Sequence, residues 1–117
     1  MNVEDIVGNY FIKGRNQEEG EVWTYEGTLS LSVDENGRVV ALWKIGEHEQ
    51  RGKGFFKNDI LVLNFWYNGE DKVYKGVVVY RCLNENTLDG FWSEKYGDPR
   101  YLGAEYCEKI DPRFLWN

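Results

Sequence analysis

Along most of the chain, apolar and polar residues alternate one by one. From Val22 to Val33, one side of an extended chain carries Trp23, Tyr25, Gly27, Leu29, Leu31 and Val33, and the other carries Thr24, Glu26, Thr28, Ser30 and Ser32. A period of two sets one face against a core and the other in water. No segment keeps apolar residues at spacings of three and four for more than a turn, so the pattern predicts an all-β chain. Strands are expected at about 8–14, 22–33, 39–45, 47–56, 60–67, 73–82, 87–94 and 102–109. The connections "DENG" (34–37), "KND" (57–59), "NGED" (68–71) and "NENT" (84–87) have hairpin length, and "KYGDPRY" (95–101) is longer. In the first of these, Asn36-Gly37 suits the positive φ of a tight turn.

Eight antiparallel strands joined in order by short turns form a meander, which loses its exposed edges by closing on itself. The expected fold is therefore an eight-stranded antiparallel up-and-down β-barrel forming one domain over residues 1–117. A barrel of this size is either filled by side chains or holds one small ligand. A two-sheet sandwich is the alternative that strand count leaves open.

The segment "KGVVVYRCLNENTLDGFWSEK" (75–95) is apolar on both faces and carries Gly76 and Gly90 where strands favour side chains. Parity assigns Tyr74, Gly76, Val78 and Tyr80, with Leu88, Gly90 and Trp92, to the interior. A strand glycine there permits sharp coiling or the close approach of a large neighbour such as Tyr80 or Trp92. The outer face then carries Val77, Val79 and Phe91, joined by Ile60, Val62 and Trp66 if Leu61, Leu63, Phe65 and Tyr67 point inward. Soluble monomers seldom expose so wide an apolar patch, and a second copy of the chain is its simplest cover.

Composition narrows the function. The chain is 42% hydrophobic and 16% aromatic, enough for a core. Its net charge of −6, with Lys and Arg scattered, argues against a nucleic-acid partner. No apolar run approaches the roughly 20 residues of a membrane-spanning helix. The acidic opening MNVEDIVGNY lacks the basic and apolar regions of a secretory signal, so a cytoplasmic location is expected. Cys82 and Cys107 have no CxxC spacing, and His48 is the only histidine, so no metal or cofactor site is expected. Both cysteines are read as small buried hydrophobes. Neither phosphate-binding glycine loop is present, since Gly52 and Gly54 lie inside a strand. The acidic run "NQEEGE" (16–21) reads as a solvated hairpin loop.

The interior set by parity includes Tyr10, Tyr25, Trp43, His48, Gln50, Tyr80, Trp92 and Glu105. An apolar enclosure with a few convergent polar groups suits a small, partly apolar molecule, although filled cores share this composition. Inward Glu105 and His48 must be paired, hydrated or shifted in pKa, and two such groups are also the minimum for acid–base chemistry.

"YEGTLSL" (25–31), "WKIG" (43–46), "GKGFF" (52–56), "GVVVY" (76–80), "LDGFW" (88–92) and "GAE" (103–105) resemble, in this order, the strands of a family of small bacterial proteins, some labelled fibronectin-binding. More widely the chain resembles calycin-type barrels such as avidins and lipocalins, with "GNYFIKGRN" (8–16) similar to their opening strand but Tyr10 where tryptophan is usual. The polar biotin set of avidins and the inserted helices and inward arginines of fatty-acid-binding proteins have no counterpart here. The resemblance implies a barrel with none of the matching motifs catalytic. Three readings follow: a non-enzymatic small-ligand-binding barrel, a homodimeric interaction module with a filled core, and a barrel isomerase or cyclase.

Overall fold

In the computed structural model, whose described residues are 1–113, eight strands run in chain order around a closed antiparallel barrel. They are β1 (Gly8–Arg15), β2 (Tyr25–Val33), β3 (Val39–Ile45), β4 (His48–Lys57), β5 (Ile60–Asn68), β6 (Val73–Asn84), β7 (Thr87–Glu94) and β8 (Gly103–Lys109). The last strand returns to the first, from Tyr10↔Lys109 to Arg15↔Ala104, so the sheet has no free edge and is not a sandwich.

Hairpin chemistry sets the turns. Asn58 and Asp59 both take positive φ, at 51° and 63°, as a two-residue turn between twisted strands requires. The "DENG" loop works differently from the expected Asn-Gly pair, since only Gly37 takes positive φ. The Asp34 carboxylate there accepts the Asn36 and Arg38 N–H groups at 2.9 Å each.

One end of the barrel is plugged. A short helix, α1 (Val3–Ile6), lays Ile6 fully buried into that opening, and the Tyr10 hydroxyl donates to the Ile6 carbonyl at 2.6 Å. The Lys109 ammonium donates to the Asp5 carbonyl at 2.6 Å. Four residues are too few to show a helical period, which is why the pattern gives no sign of this element.

Strand 2 is shorter than its alternation implies. Its ladder ends where the Thr24 N–H donates to the Gly14 carbonyl at 2.7 Å, because β1 stops at Arg15 and leaves earlier residues no partner. Val22 is 76% exposed and Trp23 45% exposed, the latter beneath the Lys13 ammonium, so Trp23 is not a core residue. Val33, at the other end, is also largely exposed. The loop run 16–21 departs from its solvated reading at Gln17, which is 9% exposed.

The interior glycines have a common cause. Five of them face a large aromatic ring on a neighbouring strand: Gly14 meets Tyr25, Gly52 meets Trp43, Gly76 meets Phe65, Gly90 meets Tyr80 and Gly103 meets Trp92. A Cβ at any of these positions would overlap its ring. Gly76 thus accommodates Phe65 rather than Tyr80 or Trp92, while Gly90 accommodates Tyr80 as expected. Pairing a missing side chain with an oversized one keeps the interior dense and the strands strongly coiled.

Gly90→Ala is expected to cost about 1–3 kcal/mol, because neither the buried Tyr80 ring nor the Val79 carbonyl behind it has room to retreat. Urea unfolding of the variant against wild type measures the loss, and an unchanged midpoint would contradict the packing described.

Candidate functional site

The pairing register places five residues in one row across five strands. Tyr25 of β2 pairs with Gly14 of β1, Gly14 with Glu105 of β8, Glu105 with Gly90 of β7, and Gly90 with Tyr80 of β6. Alternation points the whole row inward. With glycine on either side of Glu105, each tyrosine ring crosses the vacant position toward the carboxylate. The Tyr25 hydroxyl donates to Oε1 at 3.4 Å and the Tyr80 hydroxyl donates to Oε2 in a short bond.

Two tryptophans complete the arms. The Trp43 ring N–H donates to the Tyr80 oxygen at 3.1 Å, and the Trp92 ring N–H donates to the Tyr25 oxygen at 3.1 Å. Each hydroxyl accepts one hydrogen and donates its own, so a donor chain runs from each tryptophan to Glu105.

Burial dominates the titration of this cluster. It pushes the Glu105 carboxyl up from 4.5 to about 7, against the lowering effect of the Tyr80 and Tyr25 hydroxyls and of the nearby Trp43 N–H. Burial, then the charge of Glu105, holds both tyrosine hydroxyls well above their ordinary value. They remain neutral donors throughout the physiological range.

Above this row lies a cavity of about 290 Å³, reaching toward the end opposite α1. Tyr25, Trp43, Phe65, Tyr67 and Trp92 supply its aromatic walls, Ile45 and Val78 its aliphatic ones, and Asn16, His48, Gln50, Glu94 and Glu105 its polar groups. Trp43, Phe65 and Trp92 meet edge to face, at centroid separations of 6.3 and 6.2 Å. At the mouth the Tyr67 hydroxyl donates to Glu94 Oε2 at 2.8 Å.

Gln17 ties the mouth together. Its amide donates to Ser93 Oγ at 3.1 Å and to the Asp98 carbonyl at 2.9 Å, and its oxygen accepts the Glu94 N–H at 2.8 Å. It thereby fixes the long β7–β8 loop to the β1–β2 loop.

Of the residues singled out in the sequence, Tyr25, Trp43, His48, Gln50, Trp92 and Glu105 come together on the cavity. Tyr80 lies fully buried and reaches the site through Glu105. Tyr10 does not join them, because it is engaged with Ile6 at the plugged end. His48 stands exposed at the mouth, and no hydrogen bond links it to Glu105 among the described residues. Phe65, Tyr67 and Glu94 are additions that inward parity makes readable, whereas nothing in the pattern marks Gln17.

Cys82 and Cys107 are both buried and unpaired. Among the described residues no group of three His, Cys, Asp or Glu side chains is arranged to hold a metal, and no helix is long and apolar enough to cross a membrane.

No family model matches the chain, and no curated protein does. Among solved structures it is similar to a redesigned β-barrel, at 12% identity and a TM-score of 0.71 over 92% of this chain and 94% of that one. It is also similar to a protein of unknown function from the DUF3598 family of Nostoc punctiforme, at 11% identity and a TM-score of 0.54. That match covers 94% of this chain and 49% of the other. At these identities the likeness shows the fold alone: an eight-stranded up-and-down β-barrel.

The Glu105 carboxyl gives stability a definite pH dependence. With a folded value near 7 above an unfolded value near 4.5, the folded state binds more protons between these limits, so stability falls as pH rises through them, by about 3 kcal/mol in total. Glu105→Gln removes this slope. Urea midpoints from pH 4.5 to 8 are expected to converge at low pH and to favour the variant at high pH, and parallel curves would refute the assignment.

Proposed function

We propose that the chain is a binding protein that takes a small, partly apolar molecule into the open half of its barrel. What carries the reading is the contrast between the two halves: α1, Ile6 and Tyr10 fill one end, while at the other the walls stop short of each other around about 290 Å³. That volume lies near the lower bound of small-molecule sites, roughly 300 Å³. Aromatic walls with few polar groups give affinity through burial and orientation through hydrogen bonds. The role needs no catalytic residue, and the tyrosine hydroxyls on both Glu105 oxygens hold that carboxyl in place at the base of the cavity.

Protein purified gently from its own host and weighed by native mass spectrometry is expected to carry excess mass that denaturation releases. Val78→Phe, which enlarges a wall of the cavity, is expected to lose that mass while keeping the far-ultraviolet dichroism of the wild type, at a cost of about 1–3 kcal/mol in stability. Native mass equal to denatured mass in the wild type would count against an occupied cavity.

A second reading, a homodimer, rests on the outer face. Phe55, Val62, Val79, Phe91 and Ala104 form one continuous cross-strand row from β4 to β8. Ile60, Trp66 and Val77 flank it, Trp66 39% and Val77 42% exposed. The Arg81 guanidinium partly covers Phe91, 5.6 Å from its ring centre. Light scattering is expected to give twice the chain mass for wild type and the single mass for a folded Val79→Asp, and a monomeric wild type at micromolar concentration would remove this reading.

A further inference from the structure

Resting on the reading of the cavity as a ligand site, the character of its walls narrows the ligand. Among the described residues the lining includes two carboxylates, Glu94 and Glu105, and neither a lysine nor an arginine. The remaining polar side chains are Asn16, His48, Gln50, Tyr25 and Tyr67, and none brings a permanent positive charge. A carboxylate ligand, such as a fatty acid, would lie beside two like charges with no cation to offset them.

Glu105 offers something specific. A carboxylate has about four acceptor sites, and the Tyr25 and Tyr80 hydroxyls occupy one on each oxygen. Because Glu105 lines the cavity, a ligand N–H that enters it can approach the remaining acceptor capacity of the carboxylate. Around it stand the rings of Trp43, Phe65 and Trp92, whose π faces attract a cation most strongly where water is excluded. A buried anion without a full partner is costly, and a positively charged donor relieves that cost in a way that a neutral molecule does not.

We infer that the cavity takes a small organic cation, a protonated amine on an apolar or aromatic body, with its N–H groups on Glu105, its approach favoured by Glu94, and its body against Trp43, Phe65 and Trp92. Binding then requires Glu105 in its ionised form. The titratable groups facing that carboxyl are Tyr25 on β2, Tyr80 on β6 and Cys107 on its own strand, with His48 and Glu94 farther up the same cavity. Both tyrosines stay neutral, so within the hydrogen-bonded row itself the proton exchanged between pH 6 and pH 8 is that of Glu105.

Three probes of nearly equal size separate the charge classes: 2-phenylethylamine, 2-phenylethanol and phenylacetate. Titration calorimetry and tryptophan fluorescence at pH 8 are expected to show the amine binding at least tenfold more tightly than the other two. Its affinity is expected to fall about tenfold at pH 6, in proportion to the ionised fraction of Glu105. Glu105→Gln should bring the amine down to the level of the alcohol. If that variant does not fold, Glu94→Gln at the mouth should still reduce the preference for amine over alcohol. Alcohol or acid binding as tightly as the amine overturns the cation assignment and leaves the cavity a ligand site. If none of the three binds at millimolar concentration, the ligand-site reading fails and this inference fails with it.

Discussion

The interior is organised around one buried carboxyl group and the two glycines that give it neighbours. Had Gly14 and Gly90 carried side chains, the rings of Tyr25 and Tyr80 would have been held away from Glu105, and its carboxyl would sit in an apolar barrel without donors. Such a group is strongly disfavoured in its ionised form. With the glycines in place, two tyrosine hydroxyls converge on the carboxyl and two tryptophan N–H groups support them. The polar groups of this buried cluster are satisfied by one another.

This arrangement also divides the barrel. Toward α1 the interior is aliphatic and closed, with Leu29, Leu31, Val39, Leu61 and Leu88 buried around Tyr10. Toward the other end Trp43, Phe65 and Trp92 are spaced edge to face, and rings so placed cannot collapse onto the axis. Both Trp43 and Trp92 are committed by their N–H groups to the tyrosines below, which fixes their orientation. The cavity therefore follows from the same bonds that satisfy Glu105. Gln17 then holds the loops at its mouth in a defined relation without crossing the opening.

Much of this was readable in the chain. Strict alternation marked the strands, and parity correctly turned Tyr25, Trp43, Tyr80, Trp92 and Glu105 inward. Closure into a barrel was also readable, because eight strands with short turns have no better way to hide their edges. What parity cannot supply is height along the barrel axis. Tyr10 is inward like Tyr25, yet the register puts it at the plugged end. The meaning of the glycines was half visible: close approach of an aromatic was expected, but its identity depends on strand pairing. Trp23 shows the opposite failure, where alternation continued past the last residue with a partner strand. Gln17 was unreadable because a buried glutamine in a loop has no periodic signature, only tertiary bonds.

Glu105 is a buried carboxyl held by Tyr25 and Tyr80, and its titration can be observed directly. A carbon-13 NMR titration of the glutamate side-chain carboxyls, with the Glu105 signal assigned by its absence in Glu105→Gln, follows this one group across pH 4 to 9. Burial with two tyrosine donors predicts a midpoint near 7, and a higher one in Tyr80→Phe, where a stabilising donor is removed. A midpoint near the ordinary 4.5, unmoved by the loss of the Tyr80 hydroxyl, would mean that Glu105 meets water rather than the tyrosines, and the interior described here would be wrong.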